Sequence, residues 1–169
     1  MSAQMIWLIT GGSRGIGLAL ARRVVAAGDC VAILARGEGV SEVAKSLGEH
    51  CIGLRADVAD RDSVQAAMAQ VVARWGRLDV VVNNAGAHRG GKVAKIALED
   101  WQTVLDTNLT GALNVIASAT AHFDKGGAIV NIGAVVGFRG FPGDSAYASS
   151  KAGLAGLTRA LAIELAPKS

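Results

Sequence analysis

Five short apolar runs, each separated from the next by an amphipathic stretch, leave this chain very few architectures. Met5–Ile9, Cys30–Leu34, Cys51–Leu54, Asp79–Val82 and Ala128–Ile132 read as strands. Between and after them, Gly15–Ala27, Val40–Leu47, Asp60–Trp75 and Leu98–Thr120 read as helices, and a last helix begins just before Tyr147 and reaches Ala166. Asp60 suits an N-cap, and Pro167 cannot continue the last helix. Strand and helix repeated in this order demand a parallel sheet with helices on both faces. Right-handed crossovers then favour a doubly wound α/β arrangement.

Composition agrees with a sheet buried on both sides. Of the 169 residues, 51% are hydrophobic but only 4% aromatic, so Val, Ile, Leu and Ala must build the core. With 18% charged residues the chain is not a disordered tail, and its length suits one domain spanning residues 1–169. The net charge of +3 is scattered, without the basic stripe that nucleic acid requires. No run is long enough for a membrane span, and the start, MSAQMIWLIT, lacks a leader-like pattern, so a cytoplasmic protein is expected. Cys30 and Cys51 each open a strand and read as buried, free thiols. They lack metal-type spacing, and His50 and His122 lack ligand partners in the sequence, so no metal site is expected. Trp7, Trp75 and Trp101 read as core or rim packing.

The turn between the first strand and helix is TGGSRGIG, Thr10 to Gly17. A phosphate can approach backbone closely only where side chains are missing, and a helix N-terminus offers it free N–H groups and a positive dipole end. Gly11, Gly15 and Gly17 supply that clearance. A P-loop would need a Gly-Lys-Ser/Thr ending, which is absent. Four more motifs follow: NNAG at Asn83–Gly86, DTNLTG around Asn108, IVNIG in the fifth strand, and YASSK at Tyr147–Lys151.

With all five in this order, the chain resembles the short-chain dehydrogenase/reductase family over essentially its whole length. IVNIG-x-VVG is most similar to its 3-oxoacyl-(acyl-carrier-protein) reductases. The resemblance implies a Rossmann-like fold and cofactor contacts from Thr10, Gly11, Ser13, Arg14, Gly15, Ile16 and Gly17 in the first turn. It further implies contacts from Asp57 and Val58 after the third strand, and from Asn84, Ala85 and Gly86. Cofactor choice follows from charge. The second strand ends in Ala35-Arg36, where relatives using NAD tend to carry an Asp for the ribose 2′-hydroxyl. With no acid there, Arg36 and Arg14 could hold a 2′-phosphate, which favours NADP(H).

Tyr147 and Lys151 are four apart on a helix and therefore share a face. An ammonium about 4 Å from a phenol, at an effective dielectric near 20, favours the phenolate by roughly 4 kcal/mol. The resemblance implies hydride transfer to a carbonyl carbon while Tyr147 protonates the oxygen. Tyr147 and Lys151 would also contact the cofactor, Lys151 at the nicotinamide ribose, and Asn108 would anchor a proton-relaying water. The substrate is then a small carbonyl compound, free or linked to acyl carrier protein, and relatives assemble as homo-oligomers through the two longest helices.

The chain departs from the family in two ways. A serine expected thirteen residues before the tyrosine is Ala134, and Gly133 before it has no hydroxyl either; Ser145 is too near Tyr147 to replace it. One lost donor to a developing oxyanion costs roughly 3–4 kcal/mol, or about 10²–10³ in rate, so an impaired enzyme is expected. The chain also stops at ELAPKS, where the family continues into two further strands and a substrate lid, so the sheet is expected to be C-terminally truncated. The competing reading is a non-catalytic NADP-binding pseudoenzyme or an interaction protein. His88 and Arg89 are expected in a solvated loop after NNAG.

Overall fold

The computed structural model of the chain describes residues 4–166. Five parallel strands form one sheet: β1 Ile6–Thr10, β2 Cys30–Ala35, β3 Cys51–Arg55, β4 Leu78–Asn83 and β5 Phe123–Asn131. Their order is β3-β2-β1-β4-β5. The connection from β1 runs one way to β2, whereas β4 lies on the other side of β1. The carboxyl ends of β1 and β4 therefore border the switch-point crevice where ligands of such sheets bind. The doubly wound α/β expectation holds.

Two cores explain why the strands read as continuous apolar runs. Ile6, Leu8, Ala32, Leu34 and Val81 pack on one face against Val64, Ala67, Met68 and Val115 of the helices α3 (Arg61–Trp75) and α5 (Gly111–Ala119). Ile9, Val31, Ile33, Val80 and Val82 pack on the other against Ala21 and Val24 of α1 (Gly15–Ala26) and Val40 and Ala44 of α2 (Val40–Leu47). Each fully buried Val, Ile or Leu contributes about 1.5–3 kcal/mol over its exposed state. Asp60 caps α3 as expected, its carboxylate accepting from Asp62 N at 3.0 Å and Ser63 N at 3.3 Å. Trp75 packs at the rim of the first core, and the Trp7 indole donates to Asp29.

Both cysteines are buried and free. Cys30 belongs to the first core and Cys51 to the second, so the sheet itself separates them. The Cys30 Sγ lies 3.5 Å from His50 Nδ1, but among the described residues no three potential metal ligands come together. Burial pushes the Cys51 thiol up from its ordinary 9.0 to about 11. The folded chain thus keeps a proton that the unfolded chain releases between those values, so stability is full below pH 9 and falls as pH rises through about 11. Burial lowers Lys151, which acts in the opposite direction but equally in a Cys51→Ala chain. Between pH 9 and 11, the wild-type chain is expected to lose roughly 2 kcal/mol more than Cys51→Ala in denaturant titrations. Parallel losses would refute the assignment.

Three local features differ from the sequence expectations. The helix expected over Leu98–Thr120 is broken into α4 (Leu98–Leu105), a π-helical segment Asp106–Thr110, and α5, with a 3-10 turn at Thr120–His122. The apolar pattern on either side conceals the break, and a π turn is typical of functional sites. The last strand begins earlier than Ala128, because Phe123 already pairs with Leu78 before an irregularity in register. A short helix, α6 (Val136–Arg139), precedes α7 (Ser145–Leu165). Pro167, the expected helix stop, lies outside the described residues.

Candidate active site

The glycine turn and the NNAG loop are laced together across the switch point. Thr10 is buried; its hydroxyl accepts from Asn84 N at 3.0 Å and Ala85 N at 2.9 Å. The Asn84 amide donates back to Thr10 O at 3.0 Å and Gly11 O at 3.2 Å. Thr10 therefore sits behind the cleft and shapes it from within. Gly17 is part of the same joint: a Cβ there would meet Gly11 O at 2.5 Å and Asn84 Nδ2 at 2.6 Å. Gly11 and Gly15 have φ of 65° and 54°, the left-handed region that glycine tolerates without strain.

In front of this joint lies a cleft of about 460 Å³. It is lined by Gly11, Ser13, Arg14, Gly15 and Ile16 from the first turn, Arg36 beyond β2, Asp57 and Val58 beyond β3, and Asn84, Ala85 and Gly86 beyond β4. Leu34, Ala35, Gly37, Ala56 and Thr107, which sequence reasoning did not select, complete the lining. A dinucleotide fits what is there. A Cβ on Gly15 would meet nothing within 4 Å, so the space before the α1 N-terminus is open. No side chain caps that terminus and no acid stands in its first turn, which leaves its N–H groups to an anion. Asp57 is the one acid on the cleft wall and lies 3.8 Å from the Arg36 guanidinium. Both partners are well exposed, so this pair contributes little and can yield to a ligand.

A second group of residues gathers on α7. Tyr147 and Lys151 share a face, with Lys151 Nζ 5.9 Å from the Tyr147 ring centroid. Lys151 is only 6% exposed, and Nζ donates to Ile132 O at 2.6 Å, just past β5. Burial lowers its pKa from the usual lysine value. α6 seats on this turn through Gly137, where a Cβ would meet Ala152 N and Lys151 C, both at 2.9 Å. That contact brings the segment carrying Ala134 alongside the Tyr147–Lys151 turn. The enclosed Ser145 hydroxyl has no hydrogen-bond partner among the described residues.

The π segment explains where Asn108 goes. Its Oδ1 accepts from Ala87 N at 2.7 Å, and Nδ2 donates to Ala87 O at 3.0 Å and to Ser150 Oγ at 3.0 Å. Ser150 Oγ in turn donates to Tyr147 O at 2.8 Å. Both amide hydrogens are engaged, so the side chain ties the NNAG loop to α7. His88 lies in an exposed loop as expected, its side chain 56% exposed, yet it makes two contacts that the sequence does not show. Its Nε2 lies 2.8 Å from Asp144 Oδ1, and its ring meets the Tyr147 ring edge-on, centroids 5.2 Å apart at 84°. No signal in one sequence links two residues 56 positions apart.

Fold and cleft together define a Rossmann-like, dinucleotide-binding α/β protein. Its residues 5–169 match the family model for short chain dehydrogenase. It is 41% identical over 168 residues to the 3-oxoacyl-[acyl-carrier-protein] reductase FabG of Staphylococcus aureus, covering 95% of this chain and 68% of that protein. Human 3-hydroxyacyl-CoA dehydrogenase type-2 is 38% identical over 178 residues, covering 96% of this chain and 68% of the relative. The crystal structure of a short-chain alcohol dehydrogenase from Sinorhizobium meliloti superposes with a TM-score of 0.91 at 35% identity, covering 99% of this chain and 68% of that one. The chain belongs to the short-chain dehydrogenase family and is an oxidoreductase close to the FabG reductases.

Proposed function

We propose that the chain is an NADP(H)-dependent carbonyl reductase of 3-oxoacyl thioesters, with Tyr147 as proton donor and Ala134 limiting its rate. The reading rests on the α7 turn that sets the Lys151 ammonium 5.9 Å from the Tyr147 ring. When bound, the nicotinamide supplies hydride to the carbonyl carbon. Tyr147 delivers its hydroxyl proton to the carbonyl oxygen as charge gathers there. Lys151, fixed by the Ile132 carbonyl, presents its cation to the phenol that has given up the proton. Asn108 and Ser150 hold the backbone of Tyr147 in register with the NNAG loop. The family relationship and the FabG similarity support the thioester substrate, free or carried by acyl carrier protein. A cytoplasmic homo-oligomer assembled through α4, α5 and α7 belongs to the same reading.

Cofactor choice is supported by two cations on one cleft, Arg14 and Arg36, with Ala35 where an acid would repel a 2′-phosphate. A charge-assisted contact to phosphate is worth about 1.5–3 kcal/mol. Arg36→Glu is therefore expected to weaken NADPH binding roughly ten- to a hundredfold, read by nucleotide fluorescence, while NADH binding is spared. Equal losses for the two nucleotides would count against NADP(H).

Ala134 supports a second reading, a cofactor-binding protein without catalysis. Mixing the chain with NADPH and acetoacetyl thioester separates the two. Binding with turnover supports the reductase, and binding without any turnover supports the rival.

A further inference from the structure

The hydrogen bonds around Tyr147 form a closed circuit. Asn108 clamps Ala87 through both its N–H and its carbonyl, and the next residue is His88. His88 meets Asp144, which stands at the N-cap of α7, three residues before Tyr147. Ser150 returns from the Tyr147 carbonyl to Asn108. A further bond, Gly91 N to Gly143 O at 2.8 Å, stitches the same loop to the same turn.

Two details set the His88–Asp144 pair apart from a chance surface contact. An aspartate at an N-cap normally accepts from N–H groups of its own first turn. The Asp144 side chain makes no such bond; its carboxylate, 22% exposed, engages the His88 imidazole, itself 56% exposed, at 2.8 Å. With Nε2 held, the imidazole and the Tyr147 ring meet in the T-shaped arrangement that aromatic pairs prefer. The backbone of Tyr147 is held from inside by Ser150 and Asn108, and its ring is held from outside by His88.

We propose that His88, oriented by Asp144, is a positioning residue that fixes the ring of Tyr147 for proton delivery. It rests on the reductase reading. A phenol donates efficiently only from a narrow range of positions, and displacement by about 1 Å can cost on the order of a hundredfold in rate. The two residues act as one device: without Asp144 the imidazole is free to turn away, and without His88 the ring of Tyr147 loses its outer wall.

The test uses His88→Ala, His88→Gln, Asp144→Ala and the His88→Ala/Asp144→Ala double variant, each in the native chain and with Ala134→Ser added. His88→Gln can keep a hydrogen bond to Asp144 but has no ring. With NADPH and acetoacetyl thioester, His88→Ala and Asp144→Ala are each expected to lower kcat about ten- to a hundredfold, with KM for NADPH and Tm unchanged. The double variant is expected to be no slower than the slower single one. His88→Gln should remain slow. Rates near wild type in His88→Gln would reduce the pair to a loop stitch, and additive losses would break the coupling; either overturns the proposal.

Tyr147 is the sole tyrosine, so ring-labelled tyrosine gives one residue's NMR signals without cofactor or turnover. Those signals should move in the same direction in His88→Ala and in Asp144→Ala. Signals that stay in place in both overturn the proposed contact, whatever the activity. Moved signals with no turnover by either parent chain overturn the reductase reading instead, and with it the catalytic purpose of the pair.

Discussion

Ala134→Ser is expected to raise turnover at least tenfold while leaving NADPH affinity unchanged. The residue lies between β5 and α6, on the segment that Gly137 seats against the Lys151 turn, and its carbonyl accepts from Gly137 N at 3.1 Å. A hydroxyl there would add a second donor to the oxygen that Tyr147 protonates. That oxygen gathers negative charge only as the hydride arrives, so the donor stabilises the transition state far more than the bound ketone. Removing one such donor typically costs about 3–4 kcal/mol, which bounds the gain near 10²–10³. The cleft that carries Arg14 and Arg36 contains no part of residues 133–135, so the charged contacts that hold NADPH there have no reason to change. Ala134 is half-buried and one added oxygen is small, so stability should stay within about 0.5 kcal/mol. Steady-state kinetics of both chains, with NADPH titrated by fluorescence, decide the matter. Equal kcat values would mean that the serine position is dispensable here or that another donor already serves.

Tyr147→Phe is expected to lower kcat by about 10²–10⁴ without weakening NADPH. The substitution removes one oxygen and keeps the ring, so the edge contact with His88 and the packing of α7 should survive. Any loss is then chemical. Lys151 cannot replace the phenol, because its Nζ is drawn toward the Ile132 carbonyl at 2.6 Å. Single-turnover rates with pre-bound NADPH give the cleanest reading, since they exclude product release. A Tyr147→Phe chain as fast as wild type would remove the central element of the proposed chemistry, and the non-catalytic reading would gain accordingly.

The glycine turn illustrates how much of the site was legible in sequence. A strand followed by TGGSRGIG and a helix already implied an anion cradle, and Gly11, Ser13, Arg14, Gly15 and Ile16 do line the cleft. Thr10 shows the limit: its place in the motif was visible, but its hydroxyl is buried and spent on Asn84 and Ala85, 74 and 75 residues away. Asn108 is similar. Its motif marked it, yet only the π segment explains why its amide clamps Ala87 and Ser150. A groove lined by Phe123, Ile129, Leu161 and Leu165 lies along β5, and nothing in the linear order of these residues announces it.

What the residues alone determined was periodic or local: apolar runs in alternation with amphipathic helices, an N-cap at Asp60, a glycine turn, and a Tyr–Lys pair four apart. Such features depend on neighbours within a turn or two, so the linear order carries them. What only the tertiary structure decided was which distant groups meet. The bond from His88 to Asp144, the lacing of Thr10 to Asn84 and the break in the Leu98–Thr120 helix all depend on β1, β4 and α7 converging at one end of the sheet. A hydrogen bond formed across that distance leaves no period in the chain, because its partners are brought together by the packing of whole elements.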